Sequence, residues 1–240
     1  MSSVSRFLQV DSWEDAQLQS LGYEHPSVIN FYKNLPKESF NSKTPILKQR
    51  IDVFRDCWNK LSHLSNPTVL DIGGGNGYFS SLIKQPFASW TVLESPGISA
   101  IYNCKYKDTD IKFVSEIPNM YKSDICIMSC VLHYVQDPEE LIRNILKISK
   151  AVIILRHCET KKEKDTYAVQ KISTNSVELS WPIRFFRKGW LAEQLGSQYK
   201  IIKKYKMLEY NKLNNSKIYL SSSVIIGTTG LPHTSTAINN

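Results

Sequence analysis

The 240-residue chain lacks any apolar run near the roughly 18 residues that a membrane-spanning helix needs. Its longest apolar runs, such as Ala151 to Leu155, have only the length of a strand. Acidic residues at positions 11, 14 and 15 interrupt the apolar patch near the N-terminus before a signal-peptide core could form. We therefore expect no transmembrane segment and a cytoplasmic location.

Paired cysteines and metal-ligand clusters are also missing. The five cysteines are an odd number, and the two that lie close together, Cys126 and Cys130, fall in a segment with the apolar composition of a buried strand. The 42% share of hydrophobic residues is enough for a globular core without crosslinks. The sequence therefore predicts reduced structural thiols and no metal.

Acidic residues are too few to balance the basic ones, and the formal net charge is +8. Such a surface attracts anions, whether phosphates, acidic sugars, nucleic acid or anionic lipid. Part of the excess lies between Arg187 and Lys217, where eight Lys or Arg face two acids. This stretch is either a solvated basic face or a surface that draws in an anionic acceptor or contacts an anionic membrane.

Short apolar runs alternate with helical stretches through the middle of the chain. Each run is rich in β-branched residues and bounded by Gly, Pro, Asp or Ser. These runs are Thr68 to Ile72, Trp90 to Leu93, Ile111 to Val114, Ile125 to Met128, and Ala151 to Leu155. Alternation of strand and helix predicts a parallel sheet that is covered by helices on both faces.

Two longer runs near the end, Tyr199 to Met207 and Ile218 to Ile226, predict an antiparallel edge pair. The full prediction is an α/β fold with a Rossmann-like, doubly wound, mostly parallel sheet of seven strands. We assign residues 1–66 to an N-terminal helical extension, residues 67–226 to the sheet domain and residues 227–240 to a disordered tail.

The most informative segment is the glycine-rich turn that follows the first strand. Residues 71–77 read Asp-x-Gly-x-Gly-x-Gly, which lets the backbone turn tightly and a ligand approach the strand end. Glu94 closes the second strand, where a carboxylate can accept hydrogen bonds from both hydroxyls of a ribose. The third glycine of a dinucleotide site is absent, since Tyr78 or Ser80 stands in its place. The pattern predicts a nucleotide-like ligand other than a dinucleotide.

This turn resembles the nucleotide-binding motif of class I S-adenosylmethionine-dependent methyltransferases. Further motifs are similar to a family of bacterial methyltransferases associated with surface-polysaccharide synthesis, over roughly residues 10–205. Those motifs are Trp13-Glu14-x-Ala16, Gly22-Tyr23, the segment 129–138, Arg156, Gln170 and Trp181-Pro182.

The resemblance implies S-adenosylmethionine as the cofactor. The implied cofactor-binding residues are Asp71, Gly73, Gly75, Gly77, Tyr78, Glu94, Ser115, Glu116 and Ser129. Among them Glu94 would hold the ribose, and Ser115 or Glu116 would border the adenine. The implied reaction is O-methylation of a small molecule, a nucleotide sugar or a glycan, which could be free or linked to a lipid. The basic charge of the chain favours an anionic acceptor.

A hydroxyl acceptor needs a base, and His is the side chain whose unperturbed pKa suits that task at neutral pH. His133 and His157 each follow a predicted strand at the carboxyl edge of the sheet, and His133 is our first choice. Arg156, beside His157, could bind a phosphate or carboxylate of the acceptor.

Three alternatives stay open at this point. One is a methyltransferase-like protein that has lost catalysis and serves in binding or assembly. Another is a nicotinamide-dependent short-chain reductase, for which Tyr167 and Lys171, at i and i+4, would form the catalytic pair. A nucleic-acid methyltransferase is disfavoured because no Asn-Pro-Pro-Tyr type tetrapeptide follows the fourth strand, and we expect no nucleic-acid partner.

Overall fold

The computed structural model describes residues 4–35, 45–173, 178–195, 199–207, 212–213, 216–217 and 219–227. The helices are α1 Trp13–Leu18, α2 Pro26–Asn34, α3 Pro45–Asn59, α4 Pro96–Lys105, α5 Pro138–Ile148 and α6 Trp190–Leu195. Short 3-10 helices cover Tyr78–Leu82 and Leu132–Tyr134. None of the helices among the described residues is long and apolar enough to span a membrane.

The strands follow the same chain order. They are β1 Val4–Val10, β2 Thr68–Ile72, β3 Ser89–Leu93, β4 Ile111–Val114, β5 Ser123–Ser129, β6 Ser149–Glu159, β7 Thr166–Ser173, β8 Glu178–Phe185, β9 Tyr199–Met207, β10 Lys212–Leu213, β11 Ser216–Lys217 and β12 Tyr219–Gly227. The short β10 and β11 pair with each other.

The central sheet is built from five parallel strands in the order β4-β3-β2-β5-β6. The chain starts in the middle at β2, winds outward to β4, and then returns to β5 and β6 on the other side. This reversal of winding direction lies between β2 and β5, and ligands of doubly wound sheets bind beside such a point. The five predicted parallel strands are present.

The late antiparallel pair is also present, and it extends the central sheet beyond β6. Strand β12 runs antiparallel to β6, and β9 runs antiparallel to β12. The expectation of a disordered tail falls almost entirely on residues 228–240, which lie outside the described part of the chain.

A separate antiparallel sheet has the order β1-β7-β8. Its presence corrects the expectation of a wholly helical N-terminal extension, because residues 4–10 form β1 and pair with β7. The extension predicted over residues 1–66 therefore joins a sheet whose other two strands come from residues 166–185. Local periodicity could not reveal this pairing, since the partners are about 160 residues apart in sequence.

Apolar side chains pack on both faces of the central sheet. One core cluster lies between the sheet and helices α3 and α4, and it includes Phe54, Trp58, Trp90 and Tyr102. The other face packs against α5 and α6. Asp137 caps α5 by accepting a hydrogen bond from the Glu140 amide at 3.1 Å, as the Asp-Pro motif predicts. The packed sheet and its helices thereby fix the positions of the turns that follow the parallel strands.

Candidate active site

A cavity of about 650 Å³ lies at the carboxyl edge of the parallel sheet. Its floor is formed by the turns that follow β2, β3 and β5. Its walls come from α2 and α3, from the segment before α2, and from strands β7 and β8 of the smaller sheet. The cavity therefore lies between the predicted nucleotide-binding turn and strands β7 and β8 of the smaller sheet.

The glycine turn forms one side of this cavity. Gly73 and Gly75 line it, and their φ angles of 61° and 59° lie in the left-handed region that glycine adopts without a steric penalty. A Cβ atom at Gly73 would stand only 2.6 Å from Cγ2 of Val131. Gly77 does not line the cavity but precedes the first 3-10 helix, also with a positive φ. The turn thus brings backbone close to any ligand bound there.

Glu94 faces the glycine turn from the end of β3. Its Oε1 atom accepts a hydrogen bond from the Gly75 amide at 2.8 Å. Burial raises the pKa of this carboxyl to about 7, although the amides of Gly75 and Ser95 partly oppose the shift. The predicted pairing of the glycine turn with an acid on the next strand is therefore present inside one cavity.

Asp71 lies beneath the turn rather than in the cavity. Its side chain is fully buried, and its Oδ2 accepts a hydrogen bond from Trp90 Nε1 at 3.3 Å. A Cβ atom at Gly74 would come within 2.4 Å of the carboxylate, so this backbone rests directly on Asp71. Burial raises the pKa of Asp71 to about 8. The contact places Asp71 as a support for the loop.

The remaining predicted cofactor residues divide into two groups. Tyr78 and Ser129 line the cavity, and Ser129 Oγ is buried with no hydrogen-bond partner in the part of the chain that the structure describes. Ser115 and Glu116 are exposed after β4 and do not line it. Their predicted place beside the adenine stays a prediction.

The two histidines predicted as bases lie outside the cavity lining. His133 is 3% exposed and His157 is 1% exposed. Burial, together with the positive charge of Arg156, lowers the pKa of His133 to about 3. His157 Nε2 lies 3.6 Å from a carboxylate oxygen of Glu159. Neither histidine lines the cavity, so the assignment of His133 or His157 as the general base stays a prediction.

Arg156 does line the cavity, and a β-bulge explains its direction. Residue 157 of β6 pairs with Ser221 and Ile154 pairs with Ser223, so β6 has one residue more than β12 between these pairs. Arg156 accommodates the extra residue with a φ of 56°. A bulge changes the direction of a side chain relative to regular alternation.

A second arginine, Arg50 of α3, approaches the same point in the cavity. Arg156 Nη1 lies 3.2 Å from the Cys130 sulfur, and Arg50 Nη1 lies 3.8 Å from it. Cys130 itself has a φ of 61° at the end of β5. Arg50 carries no signal of a binding role in the sequence, since a basic residue in an amphipathic helix is ordinarily a solvated one.

Aromatic side chains form another part of the cavity wall. The rings of Tyr23 and Trp181 are 5.6 Å apart with an interplanar angle of 32°, and Tyr134 meets Tyr23 edge-on at 6.1 Å. The Tyr134 hydroxyl and Gln170 Oε1 are 2.5 Å apart. The sequence motifs contained these residues, yet no local signal gave them a role in the cavity.

The reductase alternative loses its catalytic pair in this fold. Tyr167 and Lys171 lie on strand β7, where residues i and i+4 are about 13 Å apart, rather than on one face of a helix.

Over the described residues no group of three or more His, Cys, Asp or Glu could hold a metal ion. The arrangement therefore favours the methyltransferase interpretation.

Comparison with known proteins agrees with the fold and the glycine turn. Residues 46–192, more than half of the chain, match the family model described as a methyltransferase domain, and the chain belongs to this family. The match confirms the predicted methyltransferase domain, and with it S-adenosylmethionine as the cofactor. No curated protein gave a significant sequence match.

Solved structures show the same fold at low sequence identity. An S-adenosylmethionine-dependent methyltransferase from Clostridium acetobutylicum has a TM-score of 0.55 at 10% identity, over 82% of this chain and 98% of the other. The N-methyltransferase NodS from Bradyrhizobium japonicum, in complex with S-adenosyl-L-homocysteine, has a TM-score of 0.55 at 11% identity, over 83% and 96%. The [4+2]-cyclase SpnF has a TM-score of 0.55 at 12% identity, over 77% and 82%. The Rossmann-like methyltransferase fold is thereby confirmed.

Proposed function

We propose that the protein transfers the methyl group of S-adenosylmethionine to an acceptor bound at the aromatic end of the 650 Å³ cavity. One observation carries this proposal: the left-handed glycine turn and Glu94 are hydrogen-bonded to each other within the same cavity. A protein that had lost its cofactor site would have no need to keep this pair together.

The residues present fit the cofactor. Gly73 and Gly75 leave room for close approach to the backbone, and Glu94 would accept hydrogen bonds from the ribose. The buried hydroxyls of Ser95 and Ser129 have no hydrogen-bond partner among the described residues, so both can bond to a ligand. Arg50 would hold the carboxylate of the methionine end. When bound, the cofactor supplies a methyl group already activated by its sulfonium.

In such a reaction the protein mainly positions the two reactants, because the sulfonium already activates the methyl group. Glu94, the glycine turn and Arg50 fix one reactant, and the Tyr23, Tyr134 and Trp181 wall limits where the other can lie. Holding two reactants in line provides much of the rate enhancement of a bimolecular displacement. The same wall excludes water from the reacting atoms.

The sugar or glycan acceptor stays a proposal. The tilted rings of Tyr23 and Trp181 give the cavity an aromatic, apolar surface of the kind that sugar rings contact, which supports a sugar without selecting it. A role in polysaccharide synthesis rests on the sequence resemblance. The proposed contact of residues 187–217 with an anionic substrate or membrane falls largely on side chains outside the described part of the chain.

Replacing Glu94 with Ala tests the cofactor site. The change removes the charged hydrogen-bond acceptor of the ribose, a loss worth about 1.5 to 3 kcal/mol in total. We expect the affinity for S-adenosyl-L-homocysteine, measured by calorimetry, to fall by about ten- to a hundredfold.

In the wild type the affinity for S-adenosyl-L-homocysteine should rise between pH 6 and pH 8, because the Glu94 carboxyl, with a pKa of about 7, must ionise to accept hydrogen bonds from the ribose as a carboxylate.

Glu116→Ala is the matched control, since Glu116 is an exposed acid on the neighbouring strand end. We expect this variant to bind as the wild type does. Unchanged binding by Glu94→Ala would reject the ribose assignment. A comparable loss in Glu116→Ala would instead support the sequence prediction that Glu116 borders the adenine.

A further inference from the structure

The five cysteines of the chain, all within its described residues, differ in their surroundings. Cys57, Cys126 and Cys158 are buried in the hydrophobic core, and Cys104 is exposed on α4. Cys130 is partly exposed, and it alone among the five lines the 650 Å³ cavity. Cys130 is therefore the cysteine that a small reagent can reach from inside the proposed site.

The Cys130 sulfur accepts hydrogen bonds from two arginines. Arg156 Nη1 lies 3.2 Å from the sulfur, and Arg50 Nη1 lies 3.8 Å from it. A guanidinium has only N–H donors, so the sulfur is the acceptor in both contacts. Charged donors of this kind favour an acceptor that carries negative charge, and the thiolate is the reactive form of cysteine. The two contacts therefore favour reaction at this sulfur.

Cys130 lies where the two ends of the cavity meet. It follows Ser129, which is 9% exposed, lines the cavity and has an Oγ without a hydrogen-bond partner among the described residues, so a ligand is expected at this place. Burial is the main cause that raises the pKa values of Tyr23 and Tyr134, and a charged Cys130 sulfur adds to it across the cavity. The sulfur therefore lies near the aromatic wall as well as near Arg50.

We propose that Cys130 is a modification site, at which the disulfide of a small thiol forms a mixed disulfide that blocks cofactor binding. The Cys130 thiolate attacks one sulfur of the disulfide and forms a new S–S bond. The other sulfur leaves as a thiolate with the electron pair of the broken bond, and it takes up a proton equivalent to the one that Cys130 gave up. Cys130 is oxidised and the leaving sulfur is reduced, so a thiol reductant reverses the step.

The group added to Cys130 interferes with the cofactor through Arg50. Arg50 is the side chain that would hold the carboxylate of the methionine end, and it contacts the sulfur that gains the new group. This part of the proposal rests on the proposed function. Displacing Arg50 removes a charged hydrogen bond to the cofactor, so we expect the affinity for S-adenosyl-L-homocysteine to fall by about tenfold or more.

Treatment of the full chain with 2-hydroxyethyl disulfide, which is small and uncharged, tests the proposal. Peptide mass spectrometry follows the adducts on Cys130 and Cys104, and calorimetry measures the affinity for S-adenosyl-L-homocysteine. We expect Cys130 to react at least as fast as the more exposed Cys104, the affinity to fall, and dithiothreitol to restore it. A Cys130 that stays unmodified after Cys104 has fully reacted, or a modified Cys130 with unchanged affinity, would overturn the proposal.

Two serine variants identify the cysteine responsible, each compared with itself before and after treatment. Cys104→Ser is the matched control and should lose affinity on treatment as the wild type does. Cys130→Ser keeps a small polar side chain but cannot form the disulfide, so treatment should leave its affinity unchanged. A loss of affinity that persists in Cys130→Ser would overturn the assignment.

Protection by the ligand links the modified sulfur to the cofactor site. S-adenosyl-L-homocysteine at about ten times its dissociation constant should slow modification of Cys130 by about tenfold and leave that of Cys104 unchanged. Equal rates with and without the ligand would show that Cys130 lies outside the cofactor site. If the untreated protein does not bind S-adenosyl-L-homocysteine at all, the proposed function is rejected, and the rates at Cys130 and Cys104 still decide whether Cys130 is a modification site.

An arginine variant tests why Cys130 reacts. Arg156→Gln removes the nearer charged donor and should slow modification of Cys130 severalfold relative to Cys104 in the same molecule. Arg55→Gln, at an exposed position of α3, is the control and should react as the wild type does. An unchanged ratio of the two rates in Arg156→Gln would overturn the role assigned to this arginine.

Discussion

Gly73→Ala should lower the affinity for S-adenosyl-L-homocysteine by about a hundredfold or more. The new Cβ would lie 2.6 Å from Val131 Cγ2, at a φ of 61° that an alanine adopts at a cost of about 1 to 2 kcal/mol. Valine is stiff about χ1, so it cannot easily rotate away. The turn itself must therefore shift, and a shift of about 1 Å suffices to disrupt a positioned site. Calorimetry measures the change in affinity.

Two further variants separate the clash from the backbone strain. Gly189→Ala introduces the same kind of positive-φ alanine with nothing within 4 Å of its Cβ, and should leave cofactor affinity unchanged. Adding Val131→Ala to Gly73→Ala removes the clashing methyl group and should recover much of the affinity. If Gly73→Ala alone binds like the wild type, the turn is not the cofactor-binding element.

Phe54→Ala should destabilise the fold by about 3 to 5 kcal/mol, measured by urea unfolding. Phe54 is fully buried, and its ring centre lies 4.4 Å from that of Phe79 just after the glycine turn. Arg50 lies one turn earlier on the same face of α3, with its guanidinium 5.7 Å from the Phe79 ring. Loss of the ring should therefore also weaken binding at the cofactor site.

Arg55→Ala, at the exposed neighbouring position of α3, controls for effects on the helix itself and should change the free energy of unfolding by less than about 0.5 kcal/mol. A loss below 1 kcal/mol for Phe54→Ala would show that α3 does not pack on the sheet as described.

The parallel sheet could be predicted from sequence because each of its strands contains a short apolar run, which in the central strands β2 and β5 is almost wholly buried. The smaller sheet could not. In β7, Tyr167 and Lys171 also fit a helical spacing, and β1 gains its pairing from residues that local patterns cannot specify. Strand β6 extends past its apolar part to Glu159, because β12 pairs with residues 157–159 beyond the bulge.

The cofactor side of the site was predictable because glycines and an acid at fixed spacing leave a signature in the chain. The acceptor side was not. Of two adjacent residues in the second 3-10 helix, Tyr134 lines the cavity and His133 is buried away from it, and only the packed structure distinguishes them. The bulge that orients Arg156 depends on the register between β6 and β12, which is set by pairing across the sheet.

A crystal structure of the protein with S-adenosyl-L-homocysteine tests the central claim most directly. We expect the ligand in the 650 Å³ cavity, with its ribose hydroxyls within hydrogen-bond distance of Glu94 and its thioether sulfur facing the Tyr23, Tyr134 and Trp181 wall. A ligand bound outside this cavity, or a ribose that makes no contact with Glu94, would contradict the account.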